Sequence, residues 1–181
     1  MINFLVLLLF LFLLTPTTTP PKELPSPPLH VVQKPILQSF KVDKVVVHKS
    51  KRTLILEGQG RVIKSYKVAL GRSPQGHKEQ VGDNKTPEGR YIIDRRNPRS
   101  ANYHKALHIS YPNREDCSNA KKKGCLPGGD IFIHGIRKSL RFLGKAHSLT
   151  DWTRGCIAVS NDEIDEIFEL VQEGTPIEIR P

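Results

Sequence analysis

The sequence predicts a mainly β domain with one strong helix, and three observations carry that reading. From residue 41 onward, short apolar and β-branched runs alternate with polar residues. Clusters of glycine, proline and charge break these runs every few residues. Only residues 161–173 place apolar side chains on a helical stripe. A chain of 181 residues holds one domain with a substantial core, plus appendages.

The elements follow in order. Ile2 to Leu14 is apolar apart from Asn3, the length of a signal-peptide core and short of a bilayer span of about 20 residues. Residues 1–14 are therefore read as a signal peptide or a retained membrane anchor, and the chain as exported to the periplasm or cell envelope. No Lys or Arg precedes the run and no small-x-small cleavage site follows it, so cleavage and retention both stay open. Residues 15–40 carry Pro16, Pro20, Pro21, Pro25, Pro27, Pro28 and Pro35, which make a stiff, extended linker. Strands at 44–48, 53–56 and 61–70 form a meander, with Gly58-Gln59-Gly60 as one of its turns. Residues 71–84 read as a loop, and Thr86-Pro87-Glu88-Gly89 turns into a strand at 90–94. Further strands are expected at 106–110 and 130–134. In the helix, Ser160 is the N-cap, Glu163 completes a capping box, Ile164, Ile167, Phe168 and Val171 form the stripe, and Gly174 occupies the C′ position. Pro176 then leads into a closing strand at 177–179, and residues 41–181 make up the domain.

The formal charge is +10 with a pI near 9.7. The basic residues are scattered among apolar positions, which argues against a nucleic-acid stripe; in an exported protein they suit anionic envelope material.

Two segments place reactive groups at the ends of apolar strands: Pro-Gly-Gly-Asp-Ile-Phe-Ile-His-Gly at 127–135 and Asp-Trp-Thr-Arg-Gly-Cys-Ile-Ala-Val-Ser at 151–160. A thiol attacks carbonyls as thiolate, and an imidazole within hydrogen-bond reach takes its proton and later delivers it to a leaving amine. Cys156 and His134 are the candidates. Gly155 leaves room for a substrate carbonyl against the main chain, and the amides of Gly155 and Cys156 suit an oxyanion hole. Taken alone, one Cys and one His make a weak signal, because a buried cysteine more often just fills space. His147 reads as surface or structural ahead of cleft-lining, His108 has no assigned role, and Trp152 reads as a core anchor beside the nucleophile.

His134-Gly135 and Thr153-Arg154-Gly155-Cys156, together with the stretch Gly82 to Tyr91 and Ile109-Ser110-Tyr111-Pro112-Asn113, resemble the L,D-transpeptidase catalytic domain over roughly residues 42–180. The resemblance implies that family's β-sandwich-like fold, Cys156 as nucleophile and His134 as base. It also implies the Gly135 carbonyl orienting the imidazole, the main chain at Gly155 and Cys156 at the oxyanion, and Thr153 and Arg154 against substrate. The implied reaction forms an acyl-enzyme on the tetrapeptide stem of peptidoglycan and passes it to an amine, with no metal or organic cofactor. Two departures bear on the acceptor: Arg154 stands where many members have His or Ser, and Ala158-Val159 stands where an Arg is common. Gly-Cys-Ile-Ala-Val-Ser-Asn looks instead like the branch that releases envelope lipoprotein. An L,D-carboxypeptidase or hydrolase acting on peptidoglycan-linked protein is therefore the alternative, and a non-catalytic wall-binding module a further one. Arg154 is left between holding a substrate carboxylate and pairing with Asp151.

If Cys156 stays free, an exported chain with three cysteines pairs Cys117 with Cys125. A continuous helix would hold them about 12 Å apart, so the pairing needs a helix that ends at Gly124 with a left-handed cap folding Cys125 back. A zinc site built from these cysteines and His134 lacks any Cys-x-x-Cys knuckle.

Overall fold

The computed structural model describes residues 41–100 and 102–181; the signal-or-anchor segment and the proline linker lie outside the described residues. The strands are β1 (Lys44–His48), β2 (Thr53–Gly58), β3 (Arg61–Lys67), β4 (Gly89–Asn97), β5 (Ala106–Ile109), β6 (Phe132–His134), β7 (Ile157–Ala158) and β8 (Pro176–Arg180). Two α-helices, α1 (Arg114–Lys122) and α2 (Asn161–Leu170), and a 3₁₀ segment (Lys138–Leu149) complete the described elements. The strands hydrogen-bond in the order β3-β2-β1-β8-β4-β5-β6-β7.

β1 reads Lys-Val-Val-Val-His, and all three valines are buried, as a strand covered on both faces requires. It pairs antiparallel with β2 and parallel with β8. The β2–β3 hairpin turns at Gln59 and Gly60, whose φ angles of 52° and 73° are those of a two-residue type I′ turn. The expected third strand stops at Lys67 because the chain then crosses to the far edge of the sheet. Ala69 and Ala158 exchange hydrogen bonds of 3.0 and 2.8 Å, and Thr153 N–H donates to the Leu70 carbonyl. The sheet thus curls into a half-barrel whose two ends meet beside β7. Val47, Leu54, Leu56, Ile93, Leu107, Ile133 and Ile157 are among the side chains that fill its interior.

α2 starts as expected, with Ser160 and Glu163 forming a reciprocal capping box. Ile164 and Ile167 are fully buried, each burial stabilising by about 1.5–3 kcal/mol. The helix ends at Leu170, short of the expected 173, and Gly174 is not its cap. Val171 adopts extended angles, and the chain turns so that Gly174 N–H donates to Ile93 O and Ile93 N–H to Thr175 O. Alignment of β8 against β4 overrides the helical stripe there.

α1 is capped by Asn113 and Asp116. At its other end Gly124 (φ 68°) lets Gly124 N–H reach Lys121 O and Cys125 N–H reach Ala120 O, the paired bonds of a Schellman cap. The chain does fold back at Gly124, yet the Cys117–Cys125 bond is absent and both are free thiols. The cap lays Cys125 on the buried Ala120, its Sγ 3.5 Å from that residue's carbonyl, while Cys117 is exposed.

Candidate active site

β6 and β7 run parallel with Ile133 opposite Ile157 and His134 opposite Ala158. Alternation along a strand sends the two isoleucines into the core and puts His134, with Cys156 at the foot of β7, on the opposite face. Tyr103 and Trp152 lie over that face. The Tyr103 ring stacks on the imidazole with centroids 3.7 Å apart and planes 18° apart, and Trp152 meets it edge-on at 5.9 Å.

His134 is completely buried. Its Nδ1–H donates to the Gly135 carbonyl at 2.8 Å, which leaves Nε2 without a hydrogen-bond partner among the described residues. Burial pulls the imidazole pKa down to about 4; the Gly135 carbonyl opposes this and nearby His147 adds to it. Gly135 has no room for a side chain, because a Cβ would come within 2.5 Å of Asn161 Oδ1 and 2.8 Å of Ile164 Cγ2.

The Cys156 thiol is not bonded to His134. It donates to the carbonyl of Asp130 at 3.5 Å, and Asp130 holds a left-handed φ of 55°. Burial pushes the thiol up to about 11, the Phe132 amide and the Lys78 ammonium pulling the other way and Asp130 adding to the rise. The resting site is therefore a neutral thiol beside a neutral imidazole, where the residue types alone suggested a bonded, activated pair.

The turn before the nucleophile is braced from within. Thr153 is buried; its hydroxyl accepts from Gly155 N–H at 3.0 Å and donates to the Cys156 carbonyl at 2.7 Å. Thr153 thus faces its own turn, and the hydroxyl expected against substrate is engaged there. The Gly155 amide is taken by Thr153, so of the two amides expected at the oxyanion, Cys156's is the one left over. Gly155 is required for close approach: at φ 133° a Cβ would sit 2.6 Å from the Lys85 carbonyl.

Lys85 directly follows the loop read as 71–84, and this loop is ordered by buried charge. The Asp83 carboxylate accepts from the amides of Glu79, Gln80 and Lys85 and from the Lys78 ammonium at 2.8 Å. Burial works against that carboxylate, but these donors outweigh it and its pKa is lowered. Lys49 at the end of β1 donates to Gly76 O, Thr86 O and Glu88. Sequence reading passed over both lysines; the Gly-Asp-Asn turn at 82–84 was the available signal for Asp83.

Arg154 is exposed and has no hydrogen bond or ion pair among the described residues. Asp151 is engaged elsewhere, by the Arg52 guanidinium at 2.8 and 3.2 Å and the Leu70 amide at 2.9 Å, which removes the Asp151 pairing for Arg154. Arg154 and Arg137 both lie close enough to the Tyr103 phenol to counter the rise in its pKa that burial and nearby Cys156 cause. His147 is buried rather than superficial, with both ring nitrogens unpartnered among the described residues. His108 pairs with Asp94. Tyr103 lay in the unassigned turn between two expected strands, where nothing in the spacing marks it as a partner of His134. No cluster of three or more His, Cys, Asp or Glu suited to a metal ion occurs among the described residues.

A curled sheet bearing a thiol and a carbonyl-oriented imidazole on one face defines a cysteine–histidine domain. The chain belongs to the L,D-transpeptidase catalytic-domain (YkuD) family, which it matches over residues 43–179. It is 31% identical over 132 residues to the Escherichia coli K12 protein named "Putative L,D-transpeptidase YafK", covering 70% of this chain and 46% of that one. Among solved structures it is similar to the helical cell shape determining protein Pgp2 of Campylobacter jejuni (29% identity, TM-score 0.60, covering 76% of this chain and 47% of that one). It is also similar to Bd1075 of Bdellovibrio bacteriovorus (28%, 0.53, 78% and 49%). An L,D-transpeptidase from Mycobacterium smegmatis shares the fold at 14% identity and a TM-score of 0.52, over 78% of this chain and 59% of that one. The chain spans about half the length of YafK, Pgp2 and Bd1075.

Proposed function

We propose that this domain is a cysteine acyltransferase of peptidoglycan stem peptides, with Cys156 as nucleophile and His134 as base. The observation that carries the reading is the Nδ1–H bond from His134 to the Gly135 carbonyl, which fixes the tautomer and leaves the Nε2 lone pair free on the face that bears Cys156. Rotation of the thiol off the Asp130 carbonyl brings it toward Nε2. Nε2 takes the thiol proton as sulfur attacks the carbonyl carbon of the third, diamino, residue of a tetrapeptide stem. The Cys156 amide faces the oxygen that gains charge. The tetrahedral intermediate collapses with loss of D-alanine, whose nitrogen receives the proton from Nε2, and a thioester remains. An acceptor amine then attacks the thioester, passing its proton to Nε2 and regenerating the thiol.

Arg154, unpaired at the rim, suits a substrate carboxylate, and the likeness to YafK and to a cell-shape-determining protein supports peptidoglycan as the polymer. That polymer lies outside the inner membrane, so the reading carries export with it. Incubation with tetrapeptide muropeptides, with and without an added D-amino acid, followed by mass spectrometry, tests the acceptor. Exchange products or 3→3 dimers are expected. Accumulation of tripeptides alone, with cleavage of lipoprotein-linked muropeptides, replaces transfer by hydrolysis.

A further inference from the structure

A second histidine shares the catalytic face and has no part in the mechanism above. His108 on β5 stands opposite Phe132 on β6, and Phe132 precedes Ile133, the partner of Ile157. One rung of the sheet therefore carries His108, Phe132 and Cys156 in a row, with their side chains on the His134 face. The observed ring contact fits this register: His108 meets Phe132 edge-on with centroids 4.9 Å apart. Backbone positions two strands apart are separated by roughly 10 Å.

The register between β4 and β5 slips between Ile93 and Arg95, which leaves Asp94 as the extra residue of a bulge. A bulge re-aims its side chain, and here the Asp94 carboxylate lies 2.5 Å from His108 Nδ1. The carboxylate thus takes Nδ1–H. The second Asp94 oxygen has no hydrogen bond among the described residues, and the two side chains are 13% and 37% exposed. In a chain of formal charge +10, this is a half-exposed carboxylate with one free oxygen at the end of an aromatic floor that begins at the nucleophile.

We infer that His108 and Asp94 form a subsite for a primary ammonium: the side-chain amine of the stem residue whose carbonyl Cys156 attacks, its aliphatic arm lying across the Phe132 ring. The ammonium donates to the Asp94 oxygen that His108 leaves free, His108 Nδ1–H holds that carboxylate in place, and Phe132 covers the methylenes. This rests on the acyl-transfer reading for the identity of the substrate, though not for the existence of the subsite.

The test compares two synthetic tetrapeptide stems that differ only in whether the third residue's side-chain amine is free or acetylated. The native sequence should turn over the free-amine stem at least about tenfold better in kcat/KM, chiefly through KM, as one charge-assisted bond predicts. In Asp94→Asn, and in His108→Gln as a second variant, that ratio should fall toward one while the melting temperature stays near that of the parent. Equal turnover of both stems by the native protein, or an undiminished ratio in both variants, overturns the subsite. If neither stem is turned over, the acyl-transfer reading fails, and calorimetric titration of Cys156→Ala with both peptides decides the subsite alone. Amine-dependent binding that Asp94→Asn abolishes supports it, and equal binding of both peptides overturns it.

Discussion

Cys156 and His134 rest in their neutral forms, because burial raises the one to about 11 and lowers the other to about 4. Alkylation of Cys156 by iodoacetamide at neutral pH should therefore be slower than that of a free cysteine and should keep rising above about pH 9. A plateau reached below about pH 7 would mean a preformed ion pair and contradict the resting geometry. The same burial links His134 to stability. Its folded pKa lies below the ordinary value of 6.5, so the unfolded chain binds a proton that the folded chain refuses. Stability is full above about pH 6.5 and falls as the pH drops toward about 4, by on the order of 3 kcal/mol. His147, also lowered by burial, adds in the same direction. Denaturant titrations across that range should show the fall, and His134→Gln should flatten it. The reactive pair was legible from residue type and neighbours, but its protonation was not: burial under Tyr103 and Trp152 depends on turns far away in the chain.

The nucleophile turn shows what a four-residue motif conceals. The family resemblance puts Thr153 against substrate, and in the structure its hydroxyl closes the turn on itself. Thr153→Val keeps the shape and strands the buried Gly155 amide, so it should cost about 1–3 kcal/mol of stability and lower kcat more than it raises KM. A variant that weakens only KM would return Thr153 to the substrate side. Strands and the start of α2 were legible from period and caps, since those signals are local. The ends were not: β3 stops where Ala69 must bridge Ala158, and α2 stops where Gly174 must meet Ile93. Both are decided by pairings between residues far apart in the chain. α1 entered the sequence reading only as the condition for joining Cys117 to Cys125. Its Schellman cap forms without that bond, because the turn needs Gly124 and not sulfur.

Across the whole molecule, the curl of one sheet does the assembling. Its far ends meet at β7, so the loop ordered by Lys49, Lys78 and Asp83 arrives against Gly155 and the nucleophile is held between backbone on two sides. The mainly β character was readable from the alternation; the closure was not, because it depends on the bridges at Ala69 and Gly71. The central claim is that Cys156 carries the acyl group. Its most direct test is intact-protein mass spectrometry of the protein quenched in acid during turnover of a tetrapeptide stem. The account predicts an adduct equal to the stem less D-alanine, located on Cys156 by peptide mapping and absent from Cys156→Ala, with turnover lost in that variant and in His134→Ala. Full turnover by Cys156→Ala, or an adduct on another residue, would contradict it.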